Sequence, residues 1–120
     1  MSLAKNKAIA RRELEELWSK GKLAVADEIF SANFVVNIAG TFSGTGTPES
    51  IKQAVSAWRT SFPDIHYTVE EQIAEGDKVM TRWRFSGTQH GELQGIAPTG
   101  KKIVVDGIGI HRIVDDRIVE

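Results

Sequence analysis

The sequence predicts an α+β fold in which three helices from the N-terminal half cover one face of a curved, mostly antiparallel sheet. Three observations carry this. Apolar residues recur at helical spacing as far as Trp58, the period switches to two after Pro63, and turn signals at Gly76-Asp77 and Asp115-Asp116 divide the C-terminal half into hairpins.

Ala10, Leu14, Leu17 and Trp18 share one face of a first helix that Gly21 stops. Leu23 to Phe30 reads as a second, short helix with Val25, Ala26, Ile29 and Phe30 turned inward. The stretch "NFVVNIAGTFSGTG" then supplies β-formers and after them glycines, which predicts two short strands joined by a turn. A third helix starts at Thr47 as N-cap with Pro48 in its first turn, buries Ile51, Ala54, Val55 and Trp58, and ends before Pro63. Beyond it "IHYTVEEQIAE" and "KVMTRWRFSGT" flank Gly76-Asp77 as a hairpin, with Val79, Thr81, Trp83 and Phe85 on one face. "KIVVDGIGIHRIV" is a further strand, and Asp116 takes the place where the turn into "RIVE" would favour glycine.

With 120 residues the chain reads as one domain, 1–120, long enough for a core without metal or disulfide staples. Net charge is −1 and no basic block is long enough to track a phosphate backbone, so nucleic acid is not an expected partner. The absence of cysteine excludes thiolate metal sites and thiol nucleophiles, and His66, His90 and His111 lie on separate segments without zinc-site spacing. No metal site is expected. No stretch reads as a signal peptide or a membrane span, so the expectation is a cytoplasmic protein without a membrane partner.

Gly95 to Lys101 fits the Gly-x-x-x-x-Gly-Lys skeleton of a phosphate-binding loop. That loop requires a helix behind it, whose N-terminal amides hold the phosphate, and a Ser or Thr where Lys102 stands. Ile103-Val104-Val105 predicts a strand instead, so the segment is read as a β-connection shaped by Pro98 and Gly100.

The stretch from Phe62 to Glu120 resembles the SnoaL-like family of polyketide (ester) cyclases. The pieces that carry the likeness are Phe62-Pro63-Asp64, Glu75-Gly76-Asp77-Lys78-Val79, Gly87-Thr88, Gly95 to Lys101, Arg112-Ile113 and Ile118-Val119-Glu120, with a weaker match in "GKLAVADEIFSANFVVN". The resemblance implies the nuclear-transport-factor-2-like cone shared with ketosteroid isomerases: helices and a curved sheet around an apolar internal pocket, in a homodimer paired through the sheet. It also implies aldol-type ring closure of a small apolar or aromatic carbonyl compound without a cofactor. Such chemistry calls for a carboxylate base in an apolar cavity, a donor for the enolate oxygen, and exclusion of water.

The family's own acid/base pair does not map onto this chain. Its histidine falls at Gly109, and its aspartate falls just beyond Glu120, so the chain either is truncated or lacks that base. The candidates that remain are other residues. His111 shares a strand face with Gly109 and reads either as base or donor, or as a satisfied structural histidine. Asn37 reads as an enolate donor or a backbone cap, and Glu120 as a substitute carboxylate or a frayed terminus. Trp58, Tyr67, Trp83 and Phe85 read as ligand-binding walls or as core. His66 is expected to face outward, His90 to be a solvated loop residue, and Asp106 to lie on the face opposite His111. "ARRELEELWSKGK" is expected to be the solvated side of a helix with Arg12 and Glu16 paired. An enzyme predicts an internal carboxylate–histidine pair with a raised carboxylate pKa; a binding or dimerisation module predicts a pocket without titrating groups.

Overall fold

The computed structural model describes residues 2–38, 42–91 and 100–120, with Phe42 placed by its backbone alone. Helix α1 runs Leu3–Arg12 and continues into a wide π turn, Glu13–Trp18. Here the structure departs from the single regular helix expected. Ser19 N–H reaches back five residues to the Leu14 carbonyl, 3.0 Å, where an α-helix would reach back four. Gly21, at φ +69°, ends the run. A Cβ there would meet the Arg59 side chain at 2.6 Å, and Arg59 uses that space to donate to the Trp18 and Ser19 carbonyls at 2.9 and 2.7 Å.

Helix α2, Val25–Ile29, is shorter than the Leu23–Phe30 expected, because Phe30 is already extended, with ψ 145°. Strands β1 (Phe34–Ile38) and β2 (Phe42–Gly46) form an antiparallel hairpin. Helix α3, Pro48–Ser61, opens with a reciprocal cap in which Thr47 and Ser50 each accept from the other's main-chain N–H. Strands β3 (His66–Glu75), β4 (Lys78–Thr88), β5 (Lys102–Val114) and β6 (Arg117–Ile118) form an antiparallel meander in chain order. Gly76 turns β3 into β4 at φ +59°, and both Asp115 and Asp116 take left-handed φ to turn β5 into β6.

A register shift between Val69 and Glu71 marks a bulge in β3, one of the devices by which a sheet curls. Strand β1 joins the far edge, where Val35 N–H donates to the Val119 carbonyl and Phe30 bridges Ile118. The result is the three-helix, curved-sheet α+β architecture that the sequence predicts. Of the Gly95–Lys102 loop, Gly95–Thr99 lie outside the described residues; Gly100 carries φ +69°, and Lys102 opens a strand rather than a helix.

Two apolar clusters result. One gathers Leu17, Val25, Ile29, Phe34, Val55 and Ile113 between helices and sheet. The other is aromatic, with Phe62, Ile65 and Phe85 buried beneath Trp18, Trp58, Tyr67 and Trp83. Two pieces of the family likeness meet nearby: Thr88 donates its main-chain N–H and its hydroxyl to the Asp64 carboxylate, at 2.7 and 2.9 Å.

Candidate functional site

A cavity of about 700 Å³ lies between the two clusters, bordered by the first helix and its π turn, by β1, and by the inner face of β4 and β5. Its lining is mainly apolar, with Leu14, Phe34, Val36, Tyr67 and Trp83 among the walls. Trp58 and Phe85, expected beside the other aromatics, do not border it. They pack with Phe62 in the aromatic cluster, Phe85 edge-on to Phe62 at 5.3 Å and Trp58 stacked on it at 5.7 Å, so their faces are used by core neighbours.

The polar centre of the cavity was not expected in full. His111 Nε2 stands 2.5 Å from Glu13 Oε1, and Trp18 Nε1 donates to the other carboxylate oxygen at 3.3 Å. Glu13 belongs to the run expected to be solvated. Arg12 and Glu16 in that run do form the expected pair, at 3.1 Å, but Glu13 is buried. The signal was present: Glu13 is three residues after Ala10 and four before Leu17, inside the apolar stripe itself. The π turn completes the arrangement, because residues five apart then share a face, and Trp18 is five from Glu13.

Burial is the largest influence on Glu13 and pushes its carboxyl up. The charge of His111, with hydrogen bonds from His111 and Trp18, outweighs it and holds Glu13 below the ordinary glutamate value. Burial likewise pushes His111 down, while the charge and hydrogen bond of Glu13, with a bond to the Glu120 main chain, carry it above the ordinary histidine value. Each group thus favours the charged form of the other, carboxylate beside imidazolium. The carboxylate–histidine pair is present, with its carboxylate lowered rather than raised.

Gly109 and Thr81 sit beside each other in the register of β4 and β5, and both line the cavity beside His111. At the edge near β1, Asn37 Nδ2 donates to Glu120 Oε2 at 3.1 Å and Asn37 Oδ1 accepts from Ser43 Oγ at 2.5 Å. Glu120 is not frayed: its carbonyl accepts from Arg112 N–H at 3.0 Å, and its side chain lies 3.7 Å from the Arg112 guanidinium. His66 and His90 are exposed away from this lining, and Asp106 pairs with Arg84 at 2.8 Å on the outer face. Among the described residues, no three His, Cys, Asp or Glu side chains converge where a metal ion could sit, and no helix is long and apolar enough to cross a membrane.

This cone with an internal polar pair defines a class of small α+β domains built around a cavity. The sequence profile of the SnoaL-like polyketide cyclases matches residues 8–120, and the chain belongs to that family. No curated protein matches it significantly. Among solved structures, it is similar to a protein from Acidithiobacillus ferrooxidans assigned as a polyketide cyclase, with 25% identity, 99% of this chain and 87% of that chain covered, and a TM-score of 0.83. TsrD from Streptomyces laurentii superposes with a TM-score of 0.85 at 23% identity, over 99% of this chain and 86% of its own. An LEH-like epoxide hydrolase from M. tuberculosis shares the fold at 10% identity, with a TM-score of 0.77 over 98% of this chain and 79% of that one.

Proposed function

We propose that residues 1–120 form a single SnoaL-like domain that performs acid/base chemistry on a small apolar carbonyl compound held in the cavity. The reaction is an aldol-type cyclisation or an isomerisation. The observation that carries this reading is the Glu13–His111 pair set in an apolar cavity.

In this mechanism Glu13 takes a proton from the carbon next to the carbonyl. The C–H bond breaks, its electron pair moves to the carbonyl oxygen, and an enolate forms. The imidazolium of His111 faces the carboxylate before the transfer and balances the enolate afterwards, so positive charge is in place at both stages. The enolate carbon then attacks a second carbonyl of the same molecule, or is reprotonated at another position. Asn37 has two amide hydrogens; one is held by Glu120, and the other, which has no partner among the described residues, serves a polar group of the ligand at the cavity edge. Gly109 widens the space over Trp83, and Glu120 holds Asn37 in place.

The test is exchange of α-hydrogens. A simple apolar 1,3-diketone incubated with the protein in heavy water should lose its α-hydrogen signal in NMR faster than with Glu13→Gln protein. Equal rates would sink the proposal. A second reading is a binding module of the same fold, favoured by the lowered carboxyl of Glu13, which makes it a weaker base than an apolar cavity alone would give. Retention of an apolar ketone without exchange would select that reading.

We also infer a homodimer through the sheet. The outer face carries Ile73, Met80 and Ile110 in one cross-strand row, and Ile108 and Ile110 are 62% and 63% exposed. Charged pairs on the same face, Arg82–Glu71 and Arg84–Asp106, would flank the contact.

A further inference from the structure

An enolate oxygen needs hydrogen-bond donors, and two side chains of the cavity have a hydrogen to give and, among the described residues, no partner. Among the described residues neither Tyr67 Oη nor Trp83 Nε1 makes a hydrogen bond, although both side chains line the cavity. The Tyr67 main-chain N–H donates to Ser19 Oγ at 2.8 Å. The two rings meet edge to face with centroids 5.3 Å apart, and both side chains border the same cavity.

Two glycines of β5 prepare this arrangement. A Cβ at Gly107 would lie 2.5 Å from Trp83 Cη2 and Cζ2, so only glycine lets the six-membered ring rest on the strand. A Cβ at Gly109 would lie 3.7 Å from Trp83 Nε1 and would lean on the indole nitrogen. With no side chain at 109, nothing from that position covers the N–H, and both Trp83 and His111 border the cavity. Tyr67 remains a donor throughout the working pH range, because burial, and after it the charge of Glu13, keep its hydroxyl protonated well above the ordinary phenol value. Neither donor atom is sealed inside the protein, so each is open to an oxygen of the ligand.

We propose that Tyr67 Oη–H and Trp83 Nε1–H together hold the carbonyl oxygen of the ligand beside the Glu13–His111 pair, as a two-donor site for the oxygen on which negative charge develops. The inference rests on the acid/base reading of the cavity and extends it to the substrate. The ligand is a flat, apolar carbonyl compound, and its enolate oxygen accepts two hydrogen bonds at the site. In the transfer step the α-hydrogen goes to Glu13 and the electron pair settles on this oxygen, where the two donors meet it.

The experiment compares two probes by equilibrium binding: 4-nitrophenol, whose oxygen mimics the enolate, and nitrobenzene, which lacks it. Wild-type protein should bind 4-nitrophenol about tenfold more tightly, the range expected for hydrogen bonds to a charged oxygen. Tyr67→Phe and Trp83→Phe should each reduce that ratio severalfold, with unchanged far-UV spectra reporting an intact fold. A ratio near one in wild-type protein, with nitrobenzene still bound, overturns the donor site and leaves the acid/base reading standing. Binding of neither probe overturns both. A ratio that falls in only one variant reduces the site to a single donor and overturns the pair.

Discussion

Glu13 Oε1 and His111 Nε2 stand 2.5 Å apart although 98 residues separate them in the chain. One comes from the wide turn of the first helix and the other from β5, so the contact exists only when helix layer and sheet are assembled. Neither group has an ordinary environment, and each is held in its charged form by the other.

Removing the carboxylate charge should therefore reverse the behaviour of the histidine. In Glu13→Gln protein the burial that lowers His111 persists, while the charge that outweighs it is gone. The His111 ring signals, followed by NMR against pH, should titrate above 6.5 in wild-type protein and below 6.5 in the variant. A variant histidine that still titrates above 6.5 would mean that Glu13 is not what sustains its charge.

The same pair gives stability a pH window. Glu13 has a lowered folded value, so its contribution is present above the unfolded value near 4.5 and fades as pH falls through the folded one. His111 has a raised folded value, so its contribution is complete below 6.5 and fades as pH rises through the folded one. The stability lost in Glu13→Gln should be greatest between about 4.5 and 6.5. It should be of the order of 3 kcal/mol there, the low end for a broken buried pair because the cavity side is open. Urea unfolding of both proteins across pH 4 to 9 measures this, and a difference that does not vary with pH would refute it.

Gly107 and Gly109 should respond differently to the same small change. Gly107→Ala places a methyl group 2.5 Å from the Trp83 ring and should cost about 1–3 kcal/mol, with a changed near-UV signal from the displaced indole. Gly109→Ala meets the indole nitrogen at an ordinary 3.7 Å and should stay within about 0.5 kcal/mol of wild type. Equal losses at both positions would show that the indole does not rest where the structure has it.

If a second copy covers the outer sheet, charge at its centre should prevent pairing without harming the fold. The double variant Ile73→Lys, Val104→Lys alters two exposed side chains of the outer face, neither of which borders the cavity. Sedimentation should report a dimer for the wild type and a monomer for the variant, with an unchanged far-UV spectrum. A wild-type monomer at micromolar concentration would end the dimer proposal.

The sheet was legible because its signals are local: period-two strands and turn residues announce β3 to β6 without reference to anything distant. The third helix was equally plain from Thr47 and Pro48. The site was half legible. Alternation placed His111 beside Gly109, but its partner was read as surface because a charged run suggests solvent, and helical counting does not foresee a π turn. Trp58 and Phe85 were grouped with Tyr67 and Trp83 by residue type, whereas the place of Trp58 on α3 and of Phe85 along β4 puts both in the core. Glu120 was read from its terminal position, and its contacts with Asn37 and Arg112 depend on the chain end lying between β1 and β5.

The wide turn at Glu13–Trp18 also bears on how such chains can diverge. Each residue advances a regular helix by roughly 100°, so deleting one position from this turn would swing everything before it by that angle. Ile9 and Ala10 would then leave the core, or Glu13 would leave the cavity. Length in this segment is thus under as much constraint as composition, and an insertion or deletion here is not the neutral event it would be in a surface loop. A relative whose first helix runs without the extra residue would have to draw its buried carboxylate from some other element of the cone.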